Sequence, residues 1–232
     1  MRILVTRPQP DADQLATVLV ARGHEVIVEP LMTIDYDAGA KISVEGAQAI
    51  LITSANGARA LAAATPDRGV PLFCVGAVSA AQAAADGFST ISNASGDTND
   101  LAQLVADRCR ADGGHLIHIA GSVVAGDLAG QLTALGFTVD REVLYEAKPR
   151  DALSDPTKQA IADDLELAVT LFSPRTAKTF IGLIEKAELK GACTSLDLLC
   201  LSQAVADAVS GLSCRAVKVA DRPTTDAMLA LI

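Results

Sequence analysis

The feature that most constrains this chain is a segment order that keeps returning. A short β-branched or apolar run is followed by a turn of small polar residues and then by an Ala/Leu stretch at helical spacing. Residues 2–6 (RILVT) read as a strand. After the loop at 7–10, Asp11 or Asp13 can cap a helix whose Leu15, Val18 and Leu19 share one face and which Gly23 ends. Residues 25–29 read as the next strand. The order returns at 50–53, with Ser54-Ala55-Asn56-Gly57 opening an Ala-rich helix, and at 72–76, with Ser79 opening another. It returns again at 116–119, 169–172 and 198–201. Such alternation implies an α/β fold on parallel sheets.

The chain also matches itself. Residues 3–34 resemble 116–147 at an offset of 113, with Leu15 on Leu128, Leu19 on Leu132 and Gly23 on Gly136. Further along, Thr53-Ser54 falls on Phe172-Ser173, and the helix ending in Gly87 falls on the one ending in Gly211. Thr98-Asn99-Asp100 falls on Thr224-Thr225-Asp226, the offset having drifted to 126 as loop insertions would cause. Two diverged copies of one α/β unit account for this. Two extended stretches, 30–40 and 140–149, read as antiparallel connectors, which makes one domain an insertion in the other. The expected division is 1–34 plus 152–232 for the first domain, 41–139 for the inserted one, and 35–40 with 140–151 as linker strands.

Charge narrows the function classes. With 19 Lys plus Arg against 28 Asp plus Glu, a net charge of −9 and a pI near 4.7, the chain lacks the basic face a general nucleic-acid binder needs. Aromatics are 3% and Trp is absent, so Ala, Val, Leu and Ile must build the core. A chain of 232 residues can bury about 70% of its unfolded surface, enough for one large domain or two of about 100 residues. No apolar run reaches the roughly 18 residues that span a bilayer, and 3–5 is too short for a signal peptide's apolar core of about 7–15. No membrane partner and a cytoplasmic address are expected. Five Cys, an odd number without CxxC, read as buried or free thiols. His115 and His118 stand three apart in a strand-like run and point to opposite faces, so no zinc site is expected.

In open α/β sheets ligands bind at the carboxyl ends of strands, beside helix N-termini. Those places here are residues 6–8, 53–57, 76–79, 121–126, 173–175 and Ser202, rich in hydroxyls, Gly and Pro. They suit a ligand bearing many carboxylates or phosphates, with Arg7, Arg59, Arg175 and Lys178 adding charge. Each hydroxyl is equally an ordinary helix cap. GxxxxGK[ST], GxSxG, HExxH and a well-spaced GxGxxG are absent. The only two Tyr, Tyr36 and Tyr145, both fall in the proposed connectors, where a phenol can donate a proton to a leaving group or simply pack. Nothing at this level ranks one above the other.

End to end, the chain resembles the uroporphyrinogen-III synthase family. The resemblance rests on Val5-Thr6-Arg7-Pro8, Glu29-Pro30-Leu31, Ile52-Thr53-Ser54-Ala55-Asn56-Gly57 and Val75-Gly76 with Ser79-Ala80. It continues through Val143-Leu144-Tyr145, Phe172-Ser173-Pro174 and Arg222-Pro223-Thr224. It implies two flavodoxin-like α/β domains joined by a two-stranded linker. The implied reaction is cyclisation of hydroxymethylbilane with inversion of its last ring, without metal or organic cofactor. Nothing in the sequence forces an oligomer, and a monomer is expected to suffice. Ring A loses water to give an azafulvene, the substituted carbon of ring D attacks it, and the spiro intermediate fragments and recloses. The resemblance makes Tyr145 the candidate catalytic residue. It makes Thr6, Arg7, Ser54, Ala55, Asn56, Gly76, Ser79, Ser173, Pro174 and Thr224 candidate substrate contacts. The chain departs from the family pattern at 121–127 (GSVVAGD), where an acidic residue and an Arg are usual, and at 200–204 (CLSQA).

Two other readings stay in view. One is a non-catalytic two-domain binder of small polyanions, in which Tyr145→Phe would barely change affinity. The other is a sugar or phosphate transferase dependent on a nucleotide or Mg²⁺.

Overall fold

The computed structural model describes residues 1–124, 126–163 and 166–232. In chain order the elements begin with β1 (Arg2–Val5), α1 (Asp11–Ala21), β2 (Glu25–Val28) and β3 (Met32–Tyr36). Next come β4 (Ala47–Ile52), α2 (Ala55–Ala64), β5 (Leu72–Cys74), α3 (Ala77–Ala85), β6 (Ile91–Asn93) and α4 (Thr98–Arg108). Then follow β7 (His115–Gly121), α5 (Leu128–Ala134), β8 (Val139–Pro149), α6 (Asp155–Asp163), β9 (Leu167–Leu171) and α7 (Pro174–Lys186). A 3₁₀ turn (Ala192–Ser195), β10 (Asp197–Cys200), α8 (Gln203–Ala208), β11 (Ala216–Val219) and α9 (Thr225–Leu229) complete the order. The chain forms two compact units: unit 1 is Met1–Thr33 with Lys148–Ile232, and unit 2 is Ile34–Ala147, inserted within its sequence.

Among the described residues, unit 1 holds a sheet ordered β11-β10-β9-β1-β2, parallel at each pair. The other sheet is ordered β3-β8-β7-β4-β5-β6, parallel from β8 to β6. Here Asp37 N donates to Leu144 O, while in unit 1 Arg150 N donates to Leu31 O, so β3 and β8 run antiparallel. Numbered within its own unit, the first sheet reads 2-1-3-4-5, the flavodoxin order. The second reads β8-β7-β4-β5-β6, which is the same order once the internal repeat equates β7 with β1, β8 with β2 and β4 with β9. The repeat and the folded units therefore do not coincide: each sheet takes a β-α-β piece from one copy and its remaining strands from the other.

Equivalent residues do equivalent physical work. Leu15 and Leu19 in α1 and Leu128 and Leu132 in α5 are buried, each pair four apart and so on one helical face. Gly23 (φ +85°) and Gly136 (φ +90°) end those helices in the left-handed conformation that only glycine adopts freely. Gly87 (φ +94°) repeats this, but Gly211 does not take a positive φ, so that match is one of position only. The central strands are buried on both faces, as sheets covered on each side require. Leu4 faces a core with Leu167, Val169 and Phe180 of unit 1, while Ile3 and Val5 pack with Leu15 and Leu19. In unit 2, Ile50, Ile52, Ile117 and Ile119 face α2, and Leu51 and Leu116 face α4 and α5.

Two helix starts differ from the sequence expectation. Neither Asp11 nor Asp13 caps α1; the cap position is Pro10, and both carboxylates lie in the first turn, where the helix dipole favours them. Ser79 does not open α3, which starts at Ala77 with Gly76 as its cap, so Ser79 is a buried inner-face residue. Glu29 is buried and accepts from Ser154 N, Ser154 Oγ and Thr157 Oγ1, fastening the start of α6 on re-entry into unit 1. All five Cys are free. Burial pushes the Cys74 thiol up to about 12 and those of Cys193 and Cys200 to about 11, so these three are inert thiols at neutral pH. Among the described residues no helix is long and apolar enough to cross a membrane.

Candidate functional site

In a doubly wound sheet the crevice lies where the strand order reverses, at the carboxyl ends of the two strands flanking that point. These are β4 and β7 in unit 2, whose ends carry Ser54 and Gly121, and β1 and β9 in unit 1, whose ends carry Thr6 and Ser173.

Unit 2 builds the richer of the two ends. Ser54 is the N-cap of α2, its Oγ accepting the Gly57 N–H at 3.0 Å, and the same Oγ lies 2.8 Å from the phenolic oxygen of Tyr145. Two residues on, Asn56 Oδ1 accepts from the Tyr36 hydroxyl at 3.0 Å and from Arg59 at 3.0 Å. Ala55, between them, is buried. The two phenols thus converge on one helical turn, with ring centroids 6.2 Å apart and planes tilted by 46°. A shallow depression of about 340 Å³ adjoins the rings, lined by Asp35, Tyr36, Asp37, Ser122, Val143, Leu144, Tyr145 and Glu146.

Tyr145 reaches Ser54 only because β8 is irregular. Ala120 of β7 faces Val143, but the next residue, Gly121, faces Tyr145, so Leu144 is an extra residue. Strict alternation would leave Tyr145 on the same face as Val143. The insertion turns it to the face of Ile119 and α2, as bulges beside functional sites do. On the β3 side, Leu144 O accepts the Asp37 N–H, just past β3, at 2.9 Å.

In unit 1 the candidates divide. The Thr6 side chain is fully buried and its hydroxyl donates to Thr170 O at 2.5 Å, while Thr170 Oγ1 donates to Leu4 O at 3.1 Å. This reciprocal clasp joins β1 to β9, and Thr6 O accepts the Leu31 N–H at 3.2 Å, so the buried Thr6 serves the sheet and does not present its hydroxyl at the strand end. Arg7 is paired with Asp11 at 2.7 Å and lies 4.5 Å above the Phe172 ring, its charge already balanced. Ser173 caps α7, accepting from Thr176 N, with Pro174 opening the helix, and Thr224 caps α9, accepting from Ala227 N. Gly76 caps α3 at the end of β5, one strand from the reversal. The buried side chain of Ser79 likewise is not presented at the strand ends.

Three residues outside the expected contacts bear on this end of unit 2, and of these Arg141 alone carries no sequence signal. Gly121 lies under the Tyr145 ring. Arg141 of β8 donates to Gly121 O at 2.9 Å and Ser122 O at 3.3 Å, placing a guanidinium at the loop whose own sequence, 121–127, lacks one. His118 is 4% exposed with neither ring nitrogen hydrogen-bonded, and burial, aided by the Arg141 charge, pushes it down to about 4. His115 lies on the other face, 3.7 Å from Asp140. Among the described residues no three His, Cys, Asp or Glu side chains converge as metal ligands would.

The family model described as uroporphyrinogen-III synthase HemD matches residues 13–230. No curated protein sequence matches. Among solved structures, the chain is similar to the uroporphyrinogen-III synthetase of Helicobacter pylori 26695, at TM-score 0.66 and 14% identity over 99% of this chain and 96% of that one. It is also similar to a mutant uroporphyrinogen III synthase of Thermus thermophilus, at TM-score 0.57 and 17% identity over 99% and 96% of the two chains. These likenesses show a shared fold, and with the match over residues 13–230 they establish that the chain belongs to the uroporphyrinogen-III synthase family.

Proposed function

We propose that the chain cyclises hydroxymethylbilane to uroporphyrinogen III, with Tyr145 as proton donor and β3 with β8 as the linker strands. The observation that carries this reading is the 2.8 Å contact between Ser54 Oγ and the Tyr145 phenol at the N-terminus of α2.

The substrate's pyrrole nitrogen supplies the electron pair that expels the hydroxyl of ring A, so the protein need not supply a nucleophile. Its task is to protonate the departing oxygen and hold the chain folded for attack by ring D. Ser54 Oγ accepts the Gly57 N–H and lies 2.8 Å from the phenolic oxygen, a pair in which either hydroxyl can donate. In the reaction Ser54 donates its proton to the phenolic oxygen. The Tyr145 proton is then left for the leaving group, which departs as water. The phenolate that forms stays hydrogen-bonded to Ser54, beside the positive end of α2. The pyrrole N–H proton released on azafulvene formation restores the phenol, so the net change is ring closure with loss of one water.

Substrate carboxylates find Asn56, with Arg59 beside it, at the same turn, and the capped first turns at Gly76, Ser173-Pro174 and Thr224. Both partners of the hydroxyl pair come from one unit, so a monomer suffices, and five free thiols suit a cytoplasmic setting. The test supplies purified protein with enzymatically generated hydroxymethylbilane, oxidises the product and separates uroporphyrin isomers I and III. Predominantly type III supports the assignment; type I alone, the product of spontaneous closure, overturns it.

A further inference from the structure

We propose that Gly121 is a positioning residue for Tyr145: the missing side chain at the end of β7 is what lets the phenol lie against Ser54. This rests on the assignment of Tyr145 as proton donor. A Cβ built on Gly121 would stand 2.8 Å from Tyr145 Cε2, 3.0 Å from Cζ and 3.3 Å from the hydroxyl oxygen. Carbon atoms in contact prefer about 3.5–4.0 Å, so any side chain at 121 forces a displacement. Gly121 has no positive φ, so alanine can take its backbone and the requirement is for space alone.

The displacement falls on the ring because the backbone around it is held. Tyr145 O accepts the Ser122 N–H at 3.0 Å, and Gly121 O accepts from Arg141 at 2.9 Å. The Leu144 carbonyl is held by Asp37, and the Tyr36 ring stands on another side of Tyr145, centroid to centroid 6.2 Å. The bulge aims Tyr145 at Gly121, and the glycine gives the ring its seat. With a methyl group there, the ring must tilt away, and the 2.8 Å contact with Ser54 opens.

The chain contains two Tyr and no Trp, so protein labelled with ¹³Cζ-tyrosine gives two signals, and Tyr145→Phe identifies one of them. In full-length Gly121→Ala the Tyr145 signal is expected to move more than that of Tyr36. Turnover should fall about 10- to 100-fold, with KM nearly constant. In a Tyr145→Phe background the same glycine change should add less than about a twofold loss, because the group it misplaces is already gone. An unmoved Tyr145 signal, or a full loss persisting in that background, overturns the proposal. Should Tyr145→Phe turn over normally while Gly121→Ala still shifts the signal, the seat stands and the proton-donor assignment fails. If Gly121→Ala does not fold, Gly121→Ala combined with Tyr145→Ala removes the ring it strikes and should recover folded protein; failure to recover it overturns the proposal.

Discussion

Tyr36 and Tyr145 end on side chains two residues apart at the start of α2, the first donating to Asn56 and the second meeting Ser54. Their neighbours separate their roles. Asn56 Oδ1 is shared with Arg59, which on the proposed function puts Tyr36 beside a carboxylate-binding corner, whereas the Ser54 hydroxyl is placed to stabilise a phenolate. Tyr145→Phe should therefore lower kcat by about 10²- to 10⁴-fold, while Tyr36→Phe should chiefly raise KM. Steady-state kinetics with isomer analysis decides; equal kcat losses in both variants would remove the distinction.

Ser54 serves both helix and phenol. Ser54→Ala should cost unit 2 about 1 kcal/mol through the lost cap and also lower kcat. Ser54→Asp restores a cap but cannot donate to the phenolic oxygen once ionised, so it should recover stability without recovering turnover. Denaturant melts beside kinetics on both variants test the separation.

His118 makes unit 2 acid-sensitive. Its folded pKa, about 4, lies below the ordinary 6.5, so the unfolded chain binds the proton first. The stabilisation from a neutral His118 is complete above pH 6.5 and is lost as pH falls from 6.5 towards 4, amounting to about 3 kcal/mol. Urea unfolding at pH 7 and 4.5 should reveal the loss, and His118→Leu, apolar and of similar size, should shrink it.

Thr6 tests whether its hydroxyl belongs to the sheet or to the ligand. Thr6→Val keeps the shape and removes the bond to Thr170, so stability should drop by about 1 kcal/mol with KM unchanged. A large rise in KM would return the hydroxyl to the substrate.

Much of this was legible in the residues. Leu15, Leu19 and Gly23 foretold Leu128, Leu132 and Gly136 because burial at helical spacing and a left-handed helix end both leave marks in a single sequence. Ser79 misled because a serine near a helix start is a common cap, while the backbone of Gly76 took that position. The exchange of strands between repeat copies was marked only at the crossovers, the extended stretches 30–40 and 140–149, because the pairing it produces, such as Leu4 with Val169, spans most of the chain. Nor did the bulge: DREVLYEAKP reads as a plain strand, and only the pairing of Gly121 with Tyr145 reveals that Leu144 is extra.

The nesting of unit 2 also sets a timetable for synthesis. Arg150 N bonds to Leu31 O, so the chain leaves unit 1 and returns to it at the same place. Its strand β1 needs β9 as a central neighbour, and that partner ends at Leu171. The strands of unit 2 have by then been made, the last of them, β8, ending at Pro149. As the chain emerges from a ribosome, the inserted unit can close first. The N-terminal β-α-β piece must wait, its apolar strand unpartnered on one side, until the distant C-terminal half arrives.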